Sequence, residues 1–310
     1  MMPRDTMGRK WITRKFRRVR RRSGIKLSDL QRAFDWYLGG GRIFFERYYP
    51  ELSRAHKWCF IVGCNNSGTS LLQSILERTD QISTLPTEGQ LYTTVLARSN
   101  RRRHGRIWSG YLDDLQMSAA DGIECAPRLL HDWMRDLRAP IQEIIIEKTP
   151  ANTVRMEWLQ KAFPRSYFIG LVRNGYAVAE GMRRKNHNPV DEGARHWNLV
   201  NEILIQQTTH VENYLEIRYE DLTDNPRRTA EQLVRFLKLS FDGLGAAIGG
   251  RFTSETIVGA TPQPIRNMNG ESIVSLSSAD IKKIRANATR MLDYFDYETP
   301  SEIRKRAKAS

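Results

Sequence analysis

Phe60-Ile61-Val62-Gly63-Cys64-Asn65-Asn66-Ser67-Gly68-Thr69-Ser70-Leu71-Leu72 constrains this chain more than any other stretch. A short apolar run ends in a small polar loop, and the loop opens into a helical pattern. That strand–loop–helix layout is a phosphate cradle, because loop amides, hydroxyls and a helix N-terminus all favour an anion. Nucleoside-triphosphatases use G-x-x-x-x-G-K-[S/T], whose lysine reaches the outer phosphates. Gly63 and Gly68 have that spacing here, but Thr69 stands at the lysine position. The loop is therefore suited to a phosphate-bearing donor other than ATP or GTP.

The same reading extends along the chain. Apolar runs at Trp58–Val62, Glu143–Ile146, Tyr167–Val172 and Tyr214–Arg218 predict buried strands. A short strand is expected over Gln81–Pro86. Helical patterns lie near Leu71–Arg78, Thr153–Ala162, Ala177–Arg184, Ala194–Gln207 and Pro226–Leu237, with a last helix over Ser278–Tyr294. Strand–helix alternation of this kind predicts an α/β, P-loop-like three-layer fold, a central parallel sheet flanked by helices. Residues 27–56 read as a helical lead segment broken at Gly39-Gly40-Gly41, and 57–299 as one catalytic domain followed by a tail, 300–310. The Gly-, Pro- and Asn-containing segment from Gly245 to Glu271 reads as a long loop, a candidate lid.

Charge is unevenly placed. Residues 1–26 hold eleven Lys and Arg against Asp5, so this arm carries +10 of the chain's +14. Trp11, Ile12, Phe16 and Val19 are interleaved with the cations. The arm is thus a candidate for an anionic membrane surface, with a solvated, disordered tail as the alternative. Nucleic acid is not the expected partner, and steep salt dependence of binding would signal it. A second basic run, Arg101-Arg102-Arg103-His104-Gly105-Arg106, is a candidate contact for an acidic acceptor. Three scattered cysteines, Cys59, Cys64 and Cys125, suit a reducing compartment and neither a disulfide framework nor a zinc site. No apolar run approaches the roughly 18–20 residues of a membrane span, and no signal-peptide core follows the basic start. The expectation is a cytoplasmic protein, peripheral to a membrane at most.

Four blocks in order resemble the sulfotransferases that use 3′-phosphoadenosine-5′-phosphosulfate (PAPS). They are Asn66-Ser67-Gly68-Thr69-Ser70, Glu147-Lys148-Thr149-Pro150, the stretch Phe163–Gly175 containing Val172-Arg173-Asn174, and Ile217-Arg218-Tyr219-Glu220-Asp221-Leu222. Their order is most similar to the tyrosylprotein and carbohydrate branches. The resemblance implies PAPS as co-substrate, no metal, and an acceptor hydroxyl on a glycan, a tyrosine, or a lipid or small molecule. It assigns Asn66, Ser67, Gly68, Thr69 and Ser70 to the donor's 5′ end. Arg173, with Lys185, falls to its 3′-phosphate, and Tyr219 to the nucleotide.

Sulfuryl transfer needs a base for the acceptor proton and a cation for the leaving phosphate. Glu88, after the short second strand, resembles the family's base, and Lys148 its catalytic lysine. His187 and His196 are alternative bases with no motif behind them, and each reads better as a surface or packing residue. Two departures stand out. Asn66 replaces a common Arg or Lys, and Gly181 falls where many members have a serine. A relative that binds nucleotide or glycan without transfer is therefore the rival reading. A nucleotide kinase ranks below it because the Walker lysine is absent.

Overall fold

A computed structural model of the chain describes residues 27–99, 106–248, 250–252 and 263–300. The arm and most of the second basic run lie outside these residues. Helices α1 (Leu27–Tyr37) and α2 (Gly41–Ala55) come first, separated where the glycine triplet predicts a break. The central region runs β1 (Lys57–Gly63), α3 (Thr69–Leu76), β2 (Ile82–Thr84), α4 (Ala126–Met134), β3 (Ile144–Lys148) and α5 (Met156–Ala162). It continues with β4 (Ser166–Val172), α6 (Gly175–Asn186), α7 (Val190–Thr208) and β5 (Tyr214–Arg218). Then come α8 (Tyr219–Asp224), α9 (Pro226–Leu237) and α10 (Phe241–Ile248). A short antiparallel pair, β6 (Arg251–Phe252) and β7 (Gln263–Pro264), precedes α11 (Asn269–Val274) and α12 (Ser278–Tyr294).

Strands β1 to β5 form one sheet in the order β2-β3-β1-β4-β5, every pair parallel. The three central strands, β3, β1 and β4, are largely apolar because both of their faces are covered. Side chains alternate across the sheet. Trp58, Phe60, Val62, Ile145, Phe168 and Val172 enter one core, with Trp133 of α4, Trp197 of α7 and Leu292 of α12. Cys59, Ile61, Ile144, Ile146, Ile169 and Leu171 enter the other, with Leu72 and Ile75 of α3 and Leu233 of α9. The first core is aromatic: the Trp58 ring centroid lies 4.8 Å from Phe163 and 5.2 Å from Trp133. The expected three-layer architecture is present.

Helix α3 packs on one face of the sheet and α6 on the other, so the loops after β1 and β4 diverge. Neighbouring parallel strands whose connections leave to opposite faces open a crevice at their carboxyl ends. The sequence-predicted site residues gather around that crevice.

Two of the predicted segments differ in the structure. Thr153–Ala162 is not one helix: a 3-10 turn over Pro150–Arg155 precedes α5. Gly245–Glu271 is not one loop either. Helix α10 runs to Ile248, β6 and β7 pair, and α11 starts at Asn269. The candidate lid's middle, residues 253–262, lies outside the described residues.

Candidate active site

The phosphate loop begins where β1 ends. Gly63 has φ 127, and a Cβ there would sit 2.4 Å from the Leu171 carbonyl oxygen on β4. Gly68, with φ 96, lies against Tyr219, whose ring carbon would be 2.6 Å from an added Cβ. Both positions therefore require glycine on conformation and on space. Asn66 also takes a left-handed conformation, φ 64, which asparagine tolerates better than most residues. The Ser67 hydroxyl and the Asn66 side-chain nitrogen are buried with no hydrogen-bond partner. Thr69 and Ser70 open α3, where first-turn amides lack helical acceptors.

Arg173 follows β4 and faces the loop. Its Nε donates to Asn269 Oδ1 at 2.8 Å and its Nη1 to the Asn66 carbonyl at 2.9 Å. Its guanidinium carbon stands 4.1 Å from the Tyr219 ring centroid. An amide, a carbonyl and a π face thus hold it. Burial lowers its pKa from the ordinary guanidinium range, with Tyr219 and Glu220 acting in the opposite direction. Glu220 braces this corner: its Oε1 accepts from the Asn174 amide at 2.9 Å and from Asn269 Nδ2 at 2.6 Å.

Lys185, near the end of α6, is an exposed residue whose ammonium is nonetheless pushed down to about 8. Loss of solvation around it is the largest cause, followed by the charges of Arg184, Arg173 and Arg106. Four cations from three segments therefore crowd one region, the condition an anion relieves. In sequence, Arg106 ends the basic run expected to contact the acceptor. The structure brings it to the Lys185 side, while Arg101–Gly105 lie outside the described residues.

On the other flank of β1, Lys148 ends β3, paired in register with Ile61. It is 4% exposed, and its Nζ lies 4.0 Å from Glu88 Oε1. That separation is an ion contact longer than a hydrogen bond. Glu88 also accepts from Gln90, whose Nε2 reaches Ser99 Oγ at 2.8 Å. Glu147, which the Lys148 block contains without a role, fixes this geometry. Glu147 is fully buried; it accepts from the Gly89 amide at 2.8 Å, from Asn152 Nδ2 at 2.5 Å, and from the Thr149 hydroxyl. It thereby ties the backbone just after Glu88 to the turn just after Lys148. Thr153 of that turn accepts from the Gly63 amide at 2.9 Å, which joins it to the phosphate loop. The signal in the sequence was an acid inside an apolar strand, Ile144-Ile145-Ile146-Glu147.

The histidines are not in this constellation. His187 ends α6 in a left-handed conformation, exposed. His196 is buried against Trp108, with ring centroids 4.9 Å apart, and its Nδ1 bonds Ser109 Oγ at 2.7 Å. Burial pushes His196 down to about 3, so it is a neutral packing residue near pH 7. The two departures turn out to be neighbours. A Cβ on Gly181 would lie 3.7 Å from Asn66 Cβ, Cγ and Nδ2, in ordinary contact.

Fold and site together define a P-loop-like α/β protein whose loop lacks the Walker lysine. The chain belongs to the sulfotransferase family: the Sulfotransferase family model matches residues 59–243, from β1 into α10. It is accordingly an enzyme of sulfuryl transfer. Among curated proteins, none matches the sequence. Solved structures share the fold at low identity. The sulfotransferase domain of the olefin synthase from Synechococcus PCC 7002 is 18% identical, with TM-score 0.52 over 80% of this chain and 97% of that one. Sulfotransferase STF9 from Mycobacterium avium is 12% identical, with TM-score 0.52 over 84% of this chain and 82% of that one. Among the described residues, no helix is long and apolar enough to cross a membrane.

Proposed function

We propose that this sulfotransferase draws on PAPS and transfers its sulfuryl group to an acceptor hydroxyl. The observation that carries the reading is the buried Lys148 ammonium 4.0 Å from the Glu88 carboxylate, one strand away from the phosphate loop. The loop suits the donor: Asn66 and Ser67 keep buried, unpartnered polar atoms, and Arg106, Arg173, Arg184 and Lys185 concentrate positive charge. The donor, when bound, supplies an activated sulfuryl group on its 5′-phosphate. Ser67, Thr69, Ser70 and the loop amides would hold that end, with Gly68 allowing close backbone approach. Arg173 and Lys185 would take the 3′-phosphate, and Tyr219 would pack by the nucleotide.

Glu88 removes the acceptor's hydroxyl proton, so that its oxygen bonds to sulfur as sulfur's bond to the 5′-phosphate oxygen breaks. Lys148 and the loop amides answer the negative charge arriving on that oxygen. Preorganised donors of this kind contribute about 3–4 kcal/mol in the transition state. Lys148→Ala is therefore expected to lower kcat about 10²–10³-fold while donor affinity changes far less. Steady-state kinetics and a donor-product titration separate the two. Unchanged turnover in Lys148→Ala would remove this lysine from the mechanism.

A further inference from the structure

The large exposed apolar side chains are not scattered. Six of them, Phe34, Tyr37, Leu38, Ile43, Phe44 and Tyr48, flank the turn that joins α1 to α2. Leu38 and Ile43 are 75% and 76% exposed, and Phe34 is 59% exposed. On α1, Phe34, Tyr37 and Leu38 follow the i, i+3, i+4 spacing of a single helix face. On α2, Phe44 and Tyr48 are one turn apart, with ring centroids at 5.0 Å. The opposite side of the pair is anchored: Trp36 and Tyr49 are buried, and Tyr49 donates to the Ala162 carbonyl. The hairpin is thus fixed to the body while its tip stays apolar. Such a cluster on a soluble fold marks a contact surface.

The charge that precedes α1 in the sequence selects the partner. The 26 residues that end immediately before α1 carry a net charge of +10. At the tip itself the acids are already answered: Asp35 pairs with Arg135 at 2.6 Å and Glu46 with Arg42 at 2.9 Å. An aromatic and aliphatic tip, in a chain whose residues before α1 are polybasic, supplies the two signals that lasting attachment to a bilayer requires, since either alone binds weakly. Anionic headgroups match the cations, and aromatic side chains favour the membrane–water interface. We infer that the α1–α2 tip inserts into the surface of an anionic lipid bilayer, the partner that the chain's basic charge favours.

The test is co-sedimentation of the full chain with phosphatidylcholine vesicles, with and without phosphatidylserine. The partition coefficient of the native protein is expected to be at least about tenfold higher with phosphatidylserine, and to fall with salt. Phe34→Ser combined with Phe44→Ser leaves every arm charge in place, yet should weaken binding to phosphatidylserine vesicles about tenfold or more. The variant's melting temperature should stay within a few degrees, because both rings are exposed. Native-like binding by the double variant would overturn the inference, as would failure of the native chain to bind phosphatidylserine vesicles. A dimer by light scattering that the double variant converts to monomer would assign the tip to a second copy and overturn it equally.

Discussion

Glu147 shows how one residue links stability to the site. Burial pushes its carboxyl up from 4.5 to about 7, against hydrogen bonds from Thr149 and Gly89 and the charge of Lys148. A carboxyl raised in the fold favours the folded state most below its unfolded pKa, and that contribution declines as pH rises through the folded value. The stability difference between the native chain and Glu147→Gln is therefore expected to shrink between about pH 4.5 and about pH 7 and then level off. Thermal unfolding across pH 4–9 reads it, and a difference constant with pH would contradict the assignment. Glutamine can be accommodated, because Asn152 Oδ1 is buried without a partner and can turn to meet the new amide. Alanine leaves the donors of Gly89, Asn152 and Thr149 unmet, and Glu147→Ala should cost about 2–4 kcal/mol. Denaturant melts measure that loss. At this scale the sequence was legible where a motif existed, as for Lys148 and Arg173. Glu147 lies in the same block as Lys148, but the block assigns it no role, because that role depends on Gly89 and Asn152 meeting it from separate segments.

The β1–loop–α3 element could be read directly because its conformation is built into its residues. Gly63 and Gly68 stand at positive φ, small polar residues join them, and apolar runs flank both sides. Gly68→Ala combines a strained φ with a 2.6 Å approach to the Tyr219 ring. It should cost about 1–3 kcal/mol of stability. Donor-product binding should weaken with it, since Tyr219 also supports Arg173. A melting curve and a titration on the same preparation check both effects; a native-like result in each would mean that the loop is not held as described. The segments read less well fail for the opposite reason. Helix α10 contains Gly243 and Gly245, poor helix formers, and is helical because Leu244 packs into the second core. Helix α11 opens Asn269-Gly270, a turn-like pair, yet buries Ile273 in the first core and aims Asn269 at Arg173. Tertiary packing outweighs local preference in both.

Across the whole molecule, the parallel sheet brings four chain segments to one end. The phosphate loop and Glu88–Lys148 meet there on one flank, and Arg173 with Lys185 on the other. Strand alternation made that sheet predictable, and two covered faces explain the apolarity of its central strands. The arrival of Arg106 beside Lys185 was not legible. Arg106 adjoins Trp108, whose indole donates to Asn65 at 3.0 Å and packs on His196, a contact between distant segments. The resulting concentration of positive charge is what a nucleotide with phosphates at both its 3′ and 5′ positions would satisfy. The most direct test of the account is calorimetric titration with adenosine 3′,5′-bisphosphate, with AMP and ATP as controls. The account predicts selective binding of the bisphosphate, weakened about tenfold or more in Arg173→Ala. Absence of binding, or a preference for ATP, would contradict it.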